Sequence, residues 1–268
     1  MTRDKNELEK IAGELRIDIL KMLHKSQSGH TGGSLSSIDI MTCLYFSEMN
    51  ISAAKQKDPD RDRFVLSKGH CAPALYAVLA KLGFFDKSEL DSLRQVGAIL
   101  QGHPDMNLTP GVEMSTGSLG QGLSAANGMA MALKLDNSPA RVYVVMGDGE
   151  QQEGQIWEAA MTASHYKLDN LLAFVDLNGL QIDGNVADIM GISPISDKWR
   201  AFGWNVIEID GHNMDEIQSA CYQARKTLDK PTVVIAKTLK GKGFAFCEGK
   251  VGYHGKAPTK DDMASVGL

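Results

Sequence analysis

The chain has 268 residues, 43% of them hydrophobic and 23% charged, and its 33 Asp and Glu outnumber its 28 Lys and Arg for a net charge of -5. That length suits one large α/β domain better than two small ones, so residues 1–268 are expected to form a single domain. The acidic balance, with no block of Lys or Arg, argues against nucleic acid and against an anionic membrane surface, and leaves small molecules and other proteins as partners.

In chain order, helical periodicity runs through residues 6–24 and again through 36–48, with QSGHTGGSL (residues 27–35) read as a Gly/Ser-rich loop between two helices. A Lys/Asp-rich connector leads to a short strand, RFVLS, and then to KGHCAPALYAVLAKLG, a loop opening a helix. The same step recurs at VYVVMGDGEQQEG. Further strands are predicted at 171–177, 204–210 and 231–238, alternating with helices near 151–166 and 213–228. Alternation of this kind predicts an α/β fold with a mostly parallel sheet covered by helices on both faces. Residues 245–268 lose strong periodicity and are expected to be a loop and tail with a short capping helix. The N-terminus lacks the apolar core of a signal peptide, and no stretch reaches the roughly 20 apolar residues that cross a bilayer. Cys43, Cys71, Cys221 and Cys247 show no paired spacing, so neither a zinc site nor a disulfide framework is expected, and a cytoplasmic location fits.

Ligands of open α/β sheets bind beyond the carboxyl ends of the strands, where SKGH, MGDG and VDLNG are expected to lie. Gly147 and Gly149 allow a sharp turn that aims backbone N–H groups at a diphosphate, and Asp148 between them offers a hard oxygen to Mg²⁺ or Ca²⁺. Alone, such an Asp can equally be a helix cap. Asn178 at the end of the next strand and the carbonyl of Leu180 after a glycine turn add two neutral oxygen donors, enough for half an octahedron.

These segments, GDG, EAA and DNLLAFVDLNGLQIDG, resemble the thiamine diphosphate motif of the transketolase family. SGHTGGSL, SKGHCAPALY, QGHPD, STGSLGQGLSAANGMAMA and GYHGKAP resemble further family signatures in family order, from residue 28 to residue 258. The resemblance implies the thiamine diphosphate-binding fold, and an activity that moves a two-carbon ketol group between sugar phosphates with thiamine diphosphate and a divalent metal. Four of seven histidines, His30, His70, His103 and His254, sit in the Gly-rich contexts SGHTGG, KGHC, QGHP and GYHGK. Imidazoles suit proton shuttling on sugar hydroxyls near neutral pH. The resemblance implies that His30 and His103 touch substrate hydroxyls and that His70 and His254 lie near the diphosphate and the reacting carbons. It also sets Gly117, Ser118 and Leu119 against the aminopyrimidine through backbone groups, and Ile182 against the thiazolium, a position that plain core packing would explain as well. Glu150 is counted with the cofactor-binding positions, although Glu150 and Glu153 suit a first helical turn on electrostatic grounds alone. His24, His165 and His212 match no motif and are read as structural or exposed. Lys237, Lys240 and Lys242 are read as a solvated loop after a strand rather than an anion site.

In the family a second α/β domain binds the pyrimidine end of the cofactor, and one sheet uses up the strands and helices of this chain. The resemblance is therefore to the N-terminal subunit of a split transketolase, implying a C-terminal, pyrimidine-binding partner in a two-plus-two assembly. Two alternatives stay open: a different, synthase-like thiamine diphosphate reaction, and a non-catalytic regulatory subunit that keeps the fold.

Overall fold

The computed structural model describes residues 3–268. A five-stranded sheet lies at its centre: β1 (Arg63–Leu66), β2 (Val142–Gly147), β3 (Leu171–Leu177), β6 (Asn205–Asp210) and β7 (Thr232–Lys237), all parallel, in the order β1-β2-β3-β7-β6. Strands buried on both faces read as continuous apolar runs, as VYVVM and LLAFV do. Alternate residues feed two cores: Tyr143 and Val145 face one, Val142, Val144 and Met146 the other.

The first core is covered by α1 (Lys5–Ser26), α2 (Thr31–Cys43), α3 (Ala72–Lys81) and α8 (Met214–Lys226). The second is covered by α4 (Gln121–Leu135), α5 (Gly154–His165) and α7 (Ile195–Ala201). The expected sheet with helices on both faces is thus observed. A small antiparallel pair, β4 (Leu180–Gln181) and β5 (Gly184–Asn185), with the short α6 (Val186–Met190), overhangs the carboxyl ends of β2 and β3. The tail carries the short α9 (Lys260–Ser265), capped reciprocally by Thr259 and Asp262. Among the described residues no helix is long and apolar enough to cross a membrane.

The reading of 27–35 as a loop needs correction. Only Gln27–His30 is non-helical, and Thr31–Leu35 is already the start of α2, every residue of which is buried. A helix enclosed on all sides needs small residues where neighbours approach closely. A Cβ on Gly32 would stand 2.8 Å from Lys240 Cγ, and one on Gly33 would stand 2.7 Å from Cys71 Sγ. The Gly/Ser composition that suggested a loop records close packing.

Candidate active site

The loops that follow β1, β2, β3 and β7 converge on one cavity of about 340 Å³. Because β2 and β3 are adjacent and in register, with Gly147 opposite Asp176, Asp148 and Asn178 emerge side by side. Asp148 is buried, and its two oxygens accept from Gly149 N at 2.7 Å and Gly179 N at 2.6 Å. Burial first, and then the Asp176 carboxylate, raises its pKa to about 6. Asn178 Oδ1 accepts from Leu180 N at 3.1 Å. No group of three His, Cys, Asp or Glu side chains that could hold a metal occurs among the described residues. Oxygen donors from Asp148, Asn178 and the Leu180 carbonyl fit a hard divalent cation whose remaining ligands come from a bound anion.

Three of the glycine-flanked histidines, His30, His70 and His254, line the cavity. Ring centroids lie 5.1 Å apart for His30 and His70, 5.3 Å for His70 and His254, and 5.5 Å for His30 and His254. His103 stands at the rim, 6.4 Å from His30. Burial lowers the pKa of all four, to about 4 for His30 and about 3 for His254, with Arg94, Lys68 and Lys240 adding to the effect. All four are therefore neutral at pH 7, able both to donate and to accept a proton. Buried His30 Nδ1 has no hydrogen-bond partner, and a polar ligand in the cavity can supply one.

Glu150 is not a solvated first-turn acid. It is 2% exposed and accepts from Ser67 Oγ, from Gly120 N at 2.9 Å and from Gly147 N at 2.9 Å, tying together the loops after β1, before α4 and after β2. Gly117 and Leu119 line the cavity, whereas Ser118 is exposed and does not. Gly117, with φ 154°, leaves a Cβ position only 3.1 Å from the His103 ring. Ile182 is 66% exposed at the cavity mouth, so plain core packing does not account for it. His24 and His212 are structural: His24 Nδ1 bonds the Pro258 carbonyl, and His212 joins Asp39 to Leu239. His165 is exposed.

Two lysines escaped the sequence reading. Lys240, expected in a solvated loop, is 2% exposed and lines the cavity, donating to the Leu180 carbonyl at 3.0 Å and to His254 Nδ1 at 2.8 Å. Burial, followed by repulsion from Lys68, lowers its pKa to about 8. The Leu180 carbonyl expected to be free for a metal thus already has a cationic partner. Lys237, the last residue of β7, is exposed, and Lys242 in the loop beyond it is partly so. Lys68, from the SKGH segment, is fully buried against Asp176. Burial alone would lower its pKa, but the Asp176 carboxylate more than reverses this and raises it.

The fold and this cavity define an α/β cofactor-binding domain with its site at the carboxyl ends of the strands. The family model for "Transketolase, thiamine diphosphate binding domain" matches residues 8–267. The chain is 48% identical over 261 residues to the 6-deoxy-6-sulfo-D-fructose transketolase subunit of Clostridium sp. (strain MSTE9), covering 97% of this chain and 95% of that one. It is 45% identical to an apulose-4-phosphate transketolase subunit of Phocaeicola vulgatus, over 91% of this chain and 86% of the relative. The transketolase structure from Campylobacter jejuni superposes with a TM-score of 0.93 at 33% identity, over 99% of this chain but 43% of that one. The chain belongs to the transketolase family and carries its thiamine diphosphate-binding domain. It is a transketolase-type transferase subunit, spanning nearly all of relatives that are themselves named subunits and about two fifths of the Campylobacter jejuni chain.

Proposed function

We propose that the chain is the cofactor-diphosphate half of a two-polypeptide transketolase that moves a two-carbon ketol group between phosphorylated sugars, in the cytoplasm. The observation that carries this reading is the convergence of His30, His70 and His254, with His103 at the rim, on the cavity where Asp148 and Asn178 meet. Thiamine diphosphate supplies the carbanion chemistry. This chain's residues bind and orient it. Asp148, Asn178 and the Leu180 carbonyl would hold Mg²⁺ or Ca²⁺ for the diphosphate, Lys240 giving up its bond to that carbonyl. Gly147, Gly149 and Glu150 shape the turn, while His70 and His254 face the diphosphate and reacting carbons. Gly117 and Leu119 back the aminopyrimidine, Ser118 between them pointing away from the cavity, and Ile182 covers the thiazolium from the mouth. Lys240, a buried ammonium with no carboxylate partner among the described residues, adds positive charge against the diphosphate.

His30 and His103 then meet substrate hydroxyls and move protons on them. A second chain, the C-terminal pyrimidine-binding subunit, completes the site in a two-plus-two assembly; the names of the relatives, which mark them as subunits, support the existence of a partner chain. Four buried cysteines, all free, accord with the cytoplasm. In the assembled enzyme, His30→Ala and His103→Ala are expected to leave thiamine diphosphate affinity within a few-fold of wild type and to lower kcat by about ten- to a thousand-fold. Equal loss of cofactor binding in calorimetry would contradict these two roles.

A further inference from the structure

Lys240 is held in place from behind, chiefly by His212, Asp39 and Arg16, none of which lines the cavity. His212 follows β6, and its Nε2 accepts from the backbone N–H of Leu239 at 2.8 Å. A backbone amide only donates, so Nε2 carries no proton. The proton therefore sits on Nδ1, which donates to Asp39 Oδ2 at 2.7 Å. Asp39 lies in the middle of the buried α2, and its carboxylate is also bound by Arg16 of α1. Arg16 in turn donates through Nε to the carbonyl of Lys242 at 3.1 Å. One buried carboxylate thus fixes the backbone on both sides of Lys240, at Leu239 through an imidazole and at Lys242 through a guanidinium. A third bond, Gly241 N to the Gly32 carbonyl at 3.0 Å, docks the same turn on the first turn of α2. Gly243, where a Cβ would stand 3.0 Å from Arg16 Cδ, leaves the guanidinium its path.

We propose that His212, oriented by Asp39, is a positioning residue for cofactor binding: it sets the 239–242 turn so that the Lys240 ammonium faces the anion in the cavity. The inference rests on the reading of that cavity as a diphosphate site. A long lysine side chain on an unpinned turn would spread over many rotamers, and ordering it on binding would cost affinity. Pinning the turn beforehand removes that cost.

The test is a double-mutant cycle read by calorimetric titration of thiamine diphosphate, with Mg²⁺ present, into the assembled two-chain enzyme, together with the melting temperature of its cofactor-free form. Lys240→Met is expected to weaken binding by about 10- to 100-fold and His212→Leu by about tenfold. In the Lys240→Met background, His212→Leu should add less than about threefold, because its effect acts through Lys240. His212→Gln can donate to Asp39 and accept from Leu239, and should bind within about threefold of wild type. If the leucine variant does not fold, His212→Asn, polar but too short to span both partners, takes its place. Wild-type affinity in His212→Leu alongside weak binding in Lys240→Met would overturn the inference. So would effects that simply multiply in the double variant. Wild-type affinity in Lys240→Met, or no binding by the wild type, would overturn the diphosphate reading itself.

Discussion

Lys68→Met should be the most destabilising single change in the site, costing about 3–5 kcal/mol of a total folding stability on the order of 5–15 kcal/mol. The reason is the charge it leaves behind. Asp176 is 0% exposed, and without Lys68 it keeps only Ser36 Oγ at 2.6 Å, Thr238 Oγ1 and the longer contact from Asn178 at 3.3 Å. Hydroxyls do not offset an ionised carboxylate at that depth. Adding Asp176→Asn should recover most of the loss, since both hydroxyls can rotate to accept from an amide. Urea denaturation of the wild type, the single variant and the double variant checks this; equal destabilisation of single and double would contradict it. The pair also serves the site. Asp176 raises the pKa of Asp148 and Lys68 opposes that rise, so Lys68 offsets two carboxylates beside the expected cation position.

Asp148→Asn is expected to do two opposite things. The folded pKa of Asp148, about 6, lies above its ordinary 3.8, so the folded chain holds this proton more tightly than the unfolded chain. Stability therefore falls as pH rises from about 4 to about 6, and at pH 7 the ionised group costs up to about 3 kcal/mol. An amide removes that cost but satisfies only one of the two amides, Gly149 N and Gly179 N, that the carboxylate now accepts from. The cofactor-free variant should be more stable by on the order of 1–2 kcal/mol, a few degrees in Tm. The same variant should lose nearly all of the further Tm rise that thiamine diphosphate with Mg²⁺ produces. For the wild type, the affinity that depends on the cation should drop about tenfold per pH unit below 6, where a proton competes for Asp148. A ligand-induced shift that survives in Asp148→Asn would contradict the metal assignment.

The strands were legible because a fully covered parallel strand has to be apolar throughout, and RFVL, VYVVM, LLAFVDL and TVVIAK are bounded by turn residues. Asp148, Asn178 and the four histidines were legible because each stands in a short glycine-flanked segment at a strand end or beside a helix start. Lys68 and Lys240 were not. Whether a lysine is buried depends on its partner, and the partner of Lys68 is 108 residues away in sequence. The Asp39 and His212 bond spans 173 residues and matches no motif, so no local pattern announces it. The start of α2 was misread for a related reason: Gly32 and Gly33 are small because Lys240 and Cys71 press on them.

The most direct test of the account is ketol transfer from a ketose phosphate to ribose 5-phosphate, with thiamine diphosphate and Mg²⁺, by this chain alone and together with the proposed partner subunit. Activity confined to the mixture is the predicted result. Full activity of this chain alone, or none in the mixture despite tight cofactor binding, would contradict it.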